Sequence, residues 1–391
     1  MKLINRKLGD GIHIKHGFAF LGEYFSDQGK YILLTPGNFY EKGGFKSRPE
    51  KDRYYIGTFP SDYLLKKDDL IVAMTEQGPG LLGSSAFIPE DNTYLHNQRL
   101  GLVDEIDKEL FDKKYLYNLF NSRGVRSQIY GSATGTKVRH TSPGRIYKVK
   151  VLVPDVVKQK EISSIIENYS QLIDGNRRRI QLLEESARLL FREWFVYFRF
   201  PGHEKVKIIK DGISKTPEGW VKEKVVNVVK RVAPGELYDQ ATAEPTGIVP
   251  ILDQGQSGII GYHNNEPSVI ASLDNPVIVF ANHTCNQRII HFPFSVIQNI
   301  FPFLPCDENC RNIYWLHYAT DNLVQLNAYK GHWPEFMAKN ILLPPEDLCD
   351  EFGNIISMIH KQIFYLSIQN QKRAQARDLL LPRLMSGAIE V

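Results

Sequence analysis

The chain repeats itself once, at an offset of 190 residues. Leu152-Val153-Pro154 is echoed by Leu342-Leu343-Pro344, and each proline opens a helical stretch whose apolar stripe holds the same phase. The first stripe runs Ile162, Ile166, Tyr169, Ile173, Asn176, Ile180, Leu183, Ala187, Leu190, Trp194, Tyr197. The second runs Phe352, Ile356, Ile359, Ile363, Leu366, is interrupted by Asn370, Arg373 and Arg377, and resumes at Leu380 and Leu384. Ala187-Arg188 matches Ala376-Arg377 one residue out of phase, so the register slips late in the repeat. Steps alternating four and three make a heptad seam, and so narrow a seam needs a partner helix. The economical partner is the other copy. The expected arrangement is an antiparallel intramolecular coiled coil, each rod about 40 residues and roughly 60 Å long at 1.5 Å per residue. Ile166, Ile173, Ile180, Leu183, Ile356, Ile359 and Ile363 are its expected seam. Asn176 either fixes its register or marks a face turning to solvent.

A globule precedes each rod. Asp69–Met74 and Val277–Phe280 read as buried strands, and Tyr115–Ser122 and Tyr314–Leu326 as helices. The boundaries predicted are a first globule over 1–152, a long helix over 153–200, a Pro/Gly-rich linker over 201–218, a second globule over 219–343 and a second long helix over 344–391. The fold class is α+β, duplicated about a pseudo-twofold.

With 391 residues, 42% hydrophobic and 24% charged, the chain has the composition of a folded protein of two or three domains. No apolar run reaches the roughly 20 residues of a membrane span, and Met1–Arg6 is too polar for a leader, so a cytoplasmic location is expected. Cys306 and Cys310, with His283, Cys285 and His291 upstream, lack the paired spacing of a zinc site, and no metal is expected. The net charge of +4 is mild, but its distribution is not. Between Lys113 and Lys150 stand nine Lys/Arg and no acidic residue, with Tyr115, Tyr117, Phe120, Tyr130 and Tyr147 among them. Such a stretch either neutralises phosphates or is a solvated basic face over core aromatics.

Catalytic signatures are absent. There is no Asn/Asp-Pro-Pro-aromatic methyltransferase tetrapeptide, no G-x-x-x-x-G-K-[ST], no H-E-x-x-H and no G-x-S-x-G. Gly78-Pro79-Gly80-Leu81-Leu82-Gly83 spells a dinucleotide fingerprint, but Ser84–Pro89 after it reads as a strand, whereas that fingerprint requires a helix.

The string Arg188-Leu-Leu-Phe-Arg-Glu-Trp-Phe-Val-Tyr-Phe-Arg-Phe-Pro-Gly-His-Glu204, the Pro217-Glu-Gly-Trp220 opening and the terminal Arg377-Asp-Leu-Leu-Leu-Pro-Arg-Leu-Met-Ser-Gly387 closely resemble conserved regions of the specificity subunit of type I restriction–modification systems. Leu8-Gly9-Asp10, Asn97-Gln98 and Gly131–Thr136 look like elements of that family's target recognition domains. The second globule departs from the pattern, with Val225-Val226-Asn227 where Leu-Gly-Asp is expected.

The resemblance implies a non-catalytic reader. Two target recognition domains each take one half of a split, asymmetric double-stranded DNA site, and the helices set the gap and dock two modification (methyltransferase) subunits. Two restriction (translocase-nuclease) subunits complete the enzyme. This chain would bind no cofactor itself; S-adenosylmethionine, ATP and Mg belong to partners that methylate adenine and cleave DNA. The residues expected on the first DNA surface are Gln77, Arg123, Arg126, Lys137 and Arg139, with Gln77 or Arg139 placed to read a base edge. Lys330, His332 and Trp333 are expected on the second by analogy of position, and Arg177-Arg178-Arg179 is a candidate partner contact. A free-standing DNA-binding protein, a protein-binding coiled-coil scaffold and an autonomous enzyme are the alternatives.

Overall fold

The computed structural model describes residues 1–391 except 77–79, 137, 212–213, 256–257, 307–310 and 327–330. The chain divides into two compact units: residues 1–173 with 371–391, and residues 174–370. Each is built on the same plan.

In the first unit Ile4–Lys7 pairs antiparallel with Lys150–Val153, so the globule is closed where it begins. Leu8–Asp10 forms a 3-10 turn, and Leu8 N–H donates to Val149 O at 3.0 Å. The main sheet is antiparallel, in the order Ile12–His16, Leu100–Ile106, Leu70–Ala73, Ser85–Phe87. Leu70–Ala73 is buried throughout because both faces are covered. Leu70, Val72 and Met74 join one core with the helices, and Ile71 and Ala73 join another with Leu34, Phe39 and Tyr94. Such a strand reads as a continuous apolar run, not an alternating one. Helix α1 (Lys113–Asn121) is capped by Asp112, whose side chain accepts from Tyr115 N–H, and α2 (Arg123–Gly131) by Ser122. The short α3 (Pro143–Ile146) starts on a proline. The long α4 (Val156–Phe191) then leaves the globule. Buried Gln159 fixes that exit, donating to Leu110 O and Pro154 O and accepting from Asp112 N–H.

The second unit repeats these features. Val221–Lys224 pairs antiparallel with Asn340–Leu343, and Val225 N–H donates to Lys339 O at 2.9 Å. The sheet runs Val229–Arg231, Ile300–Pro305, Val277–Ala281, Gln287–Ile290, again antiparallel. Val225–Asn227, where Leu-Gly-Asp was missing, forms the same 3-10 turn with Val225 fully buried. Helix α5 (Ile313–Thr320) is capped by Asn312, α6 (Trp333–Ala338) occupies the place of α3, and α7 (Glu346–Met385) is the second rod.

Several boundaries are corrected. Helix α4 ends at Phe191 in a π turn, Arg192–Val196, not at 200. Beyond it Phe198 takes φ +58, which turns the chain. Tyr197, expected in the seam, lies just past the π turn and is exposed, its ring beside the Arg192 and Arg199 guanidiniums. Helix α7 covers Glu346–Met385 rather than 344–391. The helix expected to reach Leu326 stops at Thr320, because Asn322 at φ +60 is left-handed. The segment read as a linker carries a hairpin, Ile208–Asp211 with Ser214–Pro217, and Phe200 at its start is buried against Trp220.

The rods pack antiparallel. In the second unit Trp194 and Phe191 meet Phe352, while further back along α4 Asn176 Nδ2 donates to Gln369 Oε1, further on along α7, at 3.3 Å. Asn176 is buried, so the turned-to-solvent reading fails. Ile180, Leu183, Ile359 and Ile363 are half-buried in this seam and Ile356 is fully buried. In the first unit Ile162, Ile166 and Leu384 share a core, and Ile173 is buried.

Candidate nucleic-acid interface

The basic stretch folds around one loop of the first unit. Helix α2 ends at Gly131, and the chain turns back so that Thr134 and His140 exchange two backbone hydrogen bonds of 3.0 and 2.8 Å. Gly135 makes this turn possible with φ +97. A Cβ there would lie 2.0 Å from Val138 O, which is backbone and cannot swing aside. Gly135→Ala should therefore distort the loop and, where the loop faces DNA as proposed below, lower DNA affinity tenfold or more, on the order of 1.5 kcal/mol. Because the loop is exposed, the melting temperature should stay within about 2 °C. Titration against DNA together with a melt checks both, and full affinity in the variant would remove the loop from the interface.

Arg139–His140 forms a two-stranded ladder with Thr75–Glu76, and Thr75 Oγ1 and His140 Nδ1 lie 3.1 Å apart. This ladder ties the loop to the glycine turn. Buried Glu76 accepts from Leu81 N–H through Oε1 at 3.0 Å, and Gly83 takes φ +77. The expected strand after that turn is present as Ser85–Phe87. Arg145 Nη1 donates to Thr134 Oγ1 at 3.0 Å, bracing the loop from α3.

The residues expected to touch DNA separate into groups. Arg123 is exposed at the start of α2. Arg139 is half-buried, its guanidinium 4.0 Å from the centre of the exposed Tyr130 ring. Arg126 turns inward and donates to Glu41 O and Gly80 O. Burial lowers its pKa, partly offset by Glu76 and Glu41, so it braces two loops instead of presenting a free charge. Gln77, Lys137 and Lys330 lie outside the described residues.

In the second unit two assignments are corrected. His332 is fully buried, and Trp333 packs against Phe280, Phe301, Phe303 and Phe336 in the core. Their backbone N–H groups bond Asn282 O at 3.0 Å and Asn282 Oδ1 at 2.8 Å, pinning the start of α6 to the 281–286 turn. The error lay in the alignment: this segment matches the start of α3, not the Gly131–Thr136 loop. Arg288 does here what Arg126 does in the first unit, donating to Gly258 O at 2.9 Å and Asp253 O at 2.8 Å. Sequence reasoning missed Tyr130, His140 and Arg145 as parts of the loop, because strand pairing, a ring contact from α2 and a hydrogen bond from α3 bring them together only in the folded chain. Cys306 Sγ donates to Asn227 O at 3.0 Å, and no group among the described residues is arranged to hold a metal ion. No described helix is long and apolar enough to cross a membrane.

Residues 3–185 match the family model described as the type I restriction modification DNA specificity domain. The MjaIX specificity subunit of a type I restriction enzyme from Methanocaldococcus jannaschii is 21% identical over 74% of this chain and 72% of its own. The HindI specificity subunit from Haemophilus influenzae is 22% identical over 83% and 87%. Among solved structures, the S subunit of a type I system from M. genitalium superposes with TM-score 0.58 at 12% identity, over 98% of this chain and 96% of that one, which shows a shared fold. The conserved strings and these relatives agree that the chain is similar to the specificity subunits of type I restriction–modification systems, with the family's DNA specificity domain matched over residues 3–185.

Proposed function

We propose that each unit reads one half of a split, asymmetric DNA site and that the rods dock the catalytic partners. The duplication carries this reading: two sheets of identical strand order, each closed by its own strand pair, each followed by a long helix. Lys and Arg contacts to phosphate would supply register and much of the affinity, and base-edge contacts the sequence. Methyl transfer, ATP hydrolysis and cleavage would belong to two modification and two restriction subunits. S-adenosylmethionine, ATP and Mg would reside there, with this chain binding none.

The rods offer a surface for such partners. Leu182 and Leu189 of α4, Val196 of the π turn, and Met358 and Tyr365 of α7 are 44–58% exposed. Each stands two residues past a seam position, which in an antiparallel pair places both sets on one flank. An exposed apolar stripe at heptad spacing suits a partner helix, and Arg177-Arg178-Arg179 adds charge beside it.

Co-expression with the modification subunit of the same system, followed by methylation mapping of the host DNA, tests the proposal. N6-methyladenine in one split motif is expected. A stable complex that leaves DNA unmethylated would point to a degenerate or differently partnered reader, and the absence of any complex would favour a free-standing DNA-binding protein. Removing one heptad from both rods should shorten the gap between half-sites and leave the bases read unchanged. A constant gap in the methylation map would end the view of the rods as a ruler.

A further inference from the structure

We infer that Arg139, held over the Tyr130 ring, reads a guanine in the major groove and so fixes one base of the target, a specificity contact that rests on the DNA-reading role proposed above. The backbone of Arg139 is anchored opposite Glu76, and Thr141 N–H continues the attachment to Met74 O at 2.9 Å. Its side chain lies over the Tyr130 ring at 4.0 Å. Stacking occupies one face of the guanidinium and leaves the N–H edge open. Among the described residues no carboxylate or carbonyl accepts from that edge, although the neighbouring arginines are engaged: Arg126 with Glu41 O and Gly80 O, Arg145 with Thr134 Oγ1. The Glu76 carboxylate, across the ladder, is buried and accepts from Leu81 N–H through Oε1, and neither of its oxygens pairs with Arg139.

A guanidinium fork of fixed plane matches two acceptors side by side, and guanine O6 and N7 present that pair in the major groove. The clamp also bears on which acceptor is met. A phosphate accepts donors from many directions, so holding the plane gains little there. A base edge accepts only in its own plane, and fixing the side chain beforehand lowers the ordering cost of binding. Tyr130 is thus a positioning residue for Arg139. Its own place is set by α2, whose other face is anchored in the core by Val125 and Ile129.

Selection from a pool of randomised duplexes tests this, using the full chain purified with the subunits that accompany it. The unaltered chain should enrich a split motif containing a guanine. Arg139→Ala should preserve the rest of the motif and abolish preference at that guanine, about 10- to 100-fold for a bidentate pair. Arg139→Lys keeps the charge without the fork and should behave alike at that position. Tyr130→Ala should weaken the same preference, and Tyr130→Phe should retain it. Melting curves confirm that each variant folds. If Arg139→Ala instead lowers affinity for all sequences equally and the motif is unchanged, Arg139 contacts phosphate and the inference falls, while the DNA-reading role stands. If the unaltered chain enriches no motif, role and inference fall together.

Discussion

On acidification from pH 7 to pH 4 the second unit should unfold before the first. Its imidazoles cluster where the Gln287–Ile290 strand, α5 and α7 meet: His360 lies 5.4 Å from His291 and 6.2 Å from His317, ring centre to ring centre. Tyr314 Oη stands 3.4 Å from His291 Nε2, Tyr318 Oη 3.2 Å from His360 Nε2, and Gln287 Nε2 3.2 Å from His317 Nδ1. Burial pulls His291 down to about 4 and His317 and His360 to about 3, and for the last two their cationic or imidazole neighbours add to the effect. These folded values lie below the ordinary histidine value near 6.5 of an unfolded chain. The unfolded state therefore binds protons first. The stability contributed is complete above about pH 6.5 and is lost as the pH falls toward 4 and 3. Taken independently, three such groups amount to on the order of 10 kcal/mol by pH 4, comparable to the whole stability of a domain. In the first unit only His96, among the described residues, is depressed in this way, to about 4. Hydrogen exchange read peptide by peptide along a pH series separates the units. Simultaneous loss of protection in both would refute the expectation, and His360→Gln should flatten the acid slope of the second unit.

The second large effect is expected from Phe352→Ala. The ring is fully buried and meets Phe195 at 5.1 Å, Phe191 and Trp194 at 5.8 Å and Tyr318 at 6.1 Å. It joins α7, α4 with its π turn, and α5 in one aromatic cluster, so removing it leaves a cavity walled by rigid rings that cannot close over it. The expected cost is about 3–5 kcal/mol. Trp194→Ala should be strongly non-additive with it, since both empty the same space. Urea unfolding of the single and double variants measures this. A loss under about 1 kcal/mol for Phe352→Ala would show that the cluster repacks freely.

The rods were legible in the sequence because a heptad seam is a local pattern: Ile162, Ile166, Ile173 and Ile356 are all buried where the phase puts them. The strands Leu70–Ala73 and Val277–Ala281 were legible as apolar runs for the same kind of reason. What was missed depends on long-range geometry. The end of α4 is set by a π turn and a left-handed Phe198, which no apolar period signals. The inward turn of Arg126 depends on carbonyls of Glu41 and Gly80, distant in sequence. His332 and Trp333 were placed on the surface by counting from a glycine-rich loop, but strand register assigns them to the start of a helix. A basic residue shows its charge in the sequence; whether that charge faces solvent or a loop carbonyl is decided by the tertiary fold.

The closing strand pairs have an evolutionary consequence. In each unit the chain enters along one strand and leaves along its antiparallel neighbour, Ile4–Lys7 beside Lys150–Val153 and Val221–Lys224 beside Asn340–Leu343. Everything between is a cassette with adjacent ends. Genetic exchange with breakpoints in these strands would deliver a foreign interior with both exits already in register, and the helix that follows would not have to change. Where each unit reads one half-site, as proposed above, such a gene would acquire a new half-specificity by one crossover pair, instead of by point mutations that must each preserve a working intermediate.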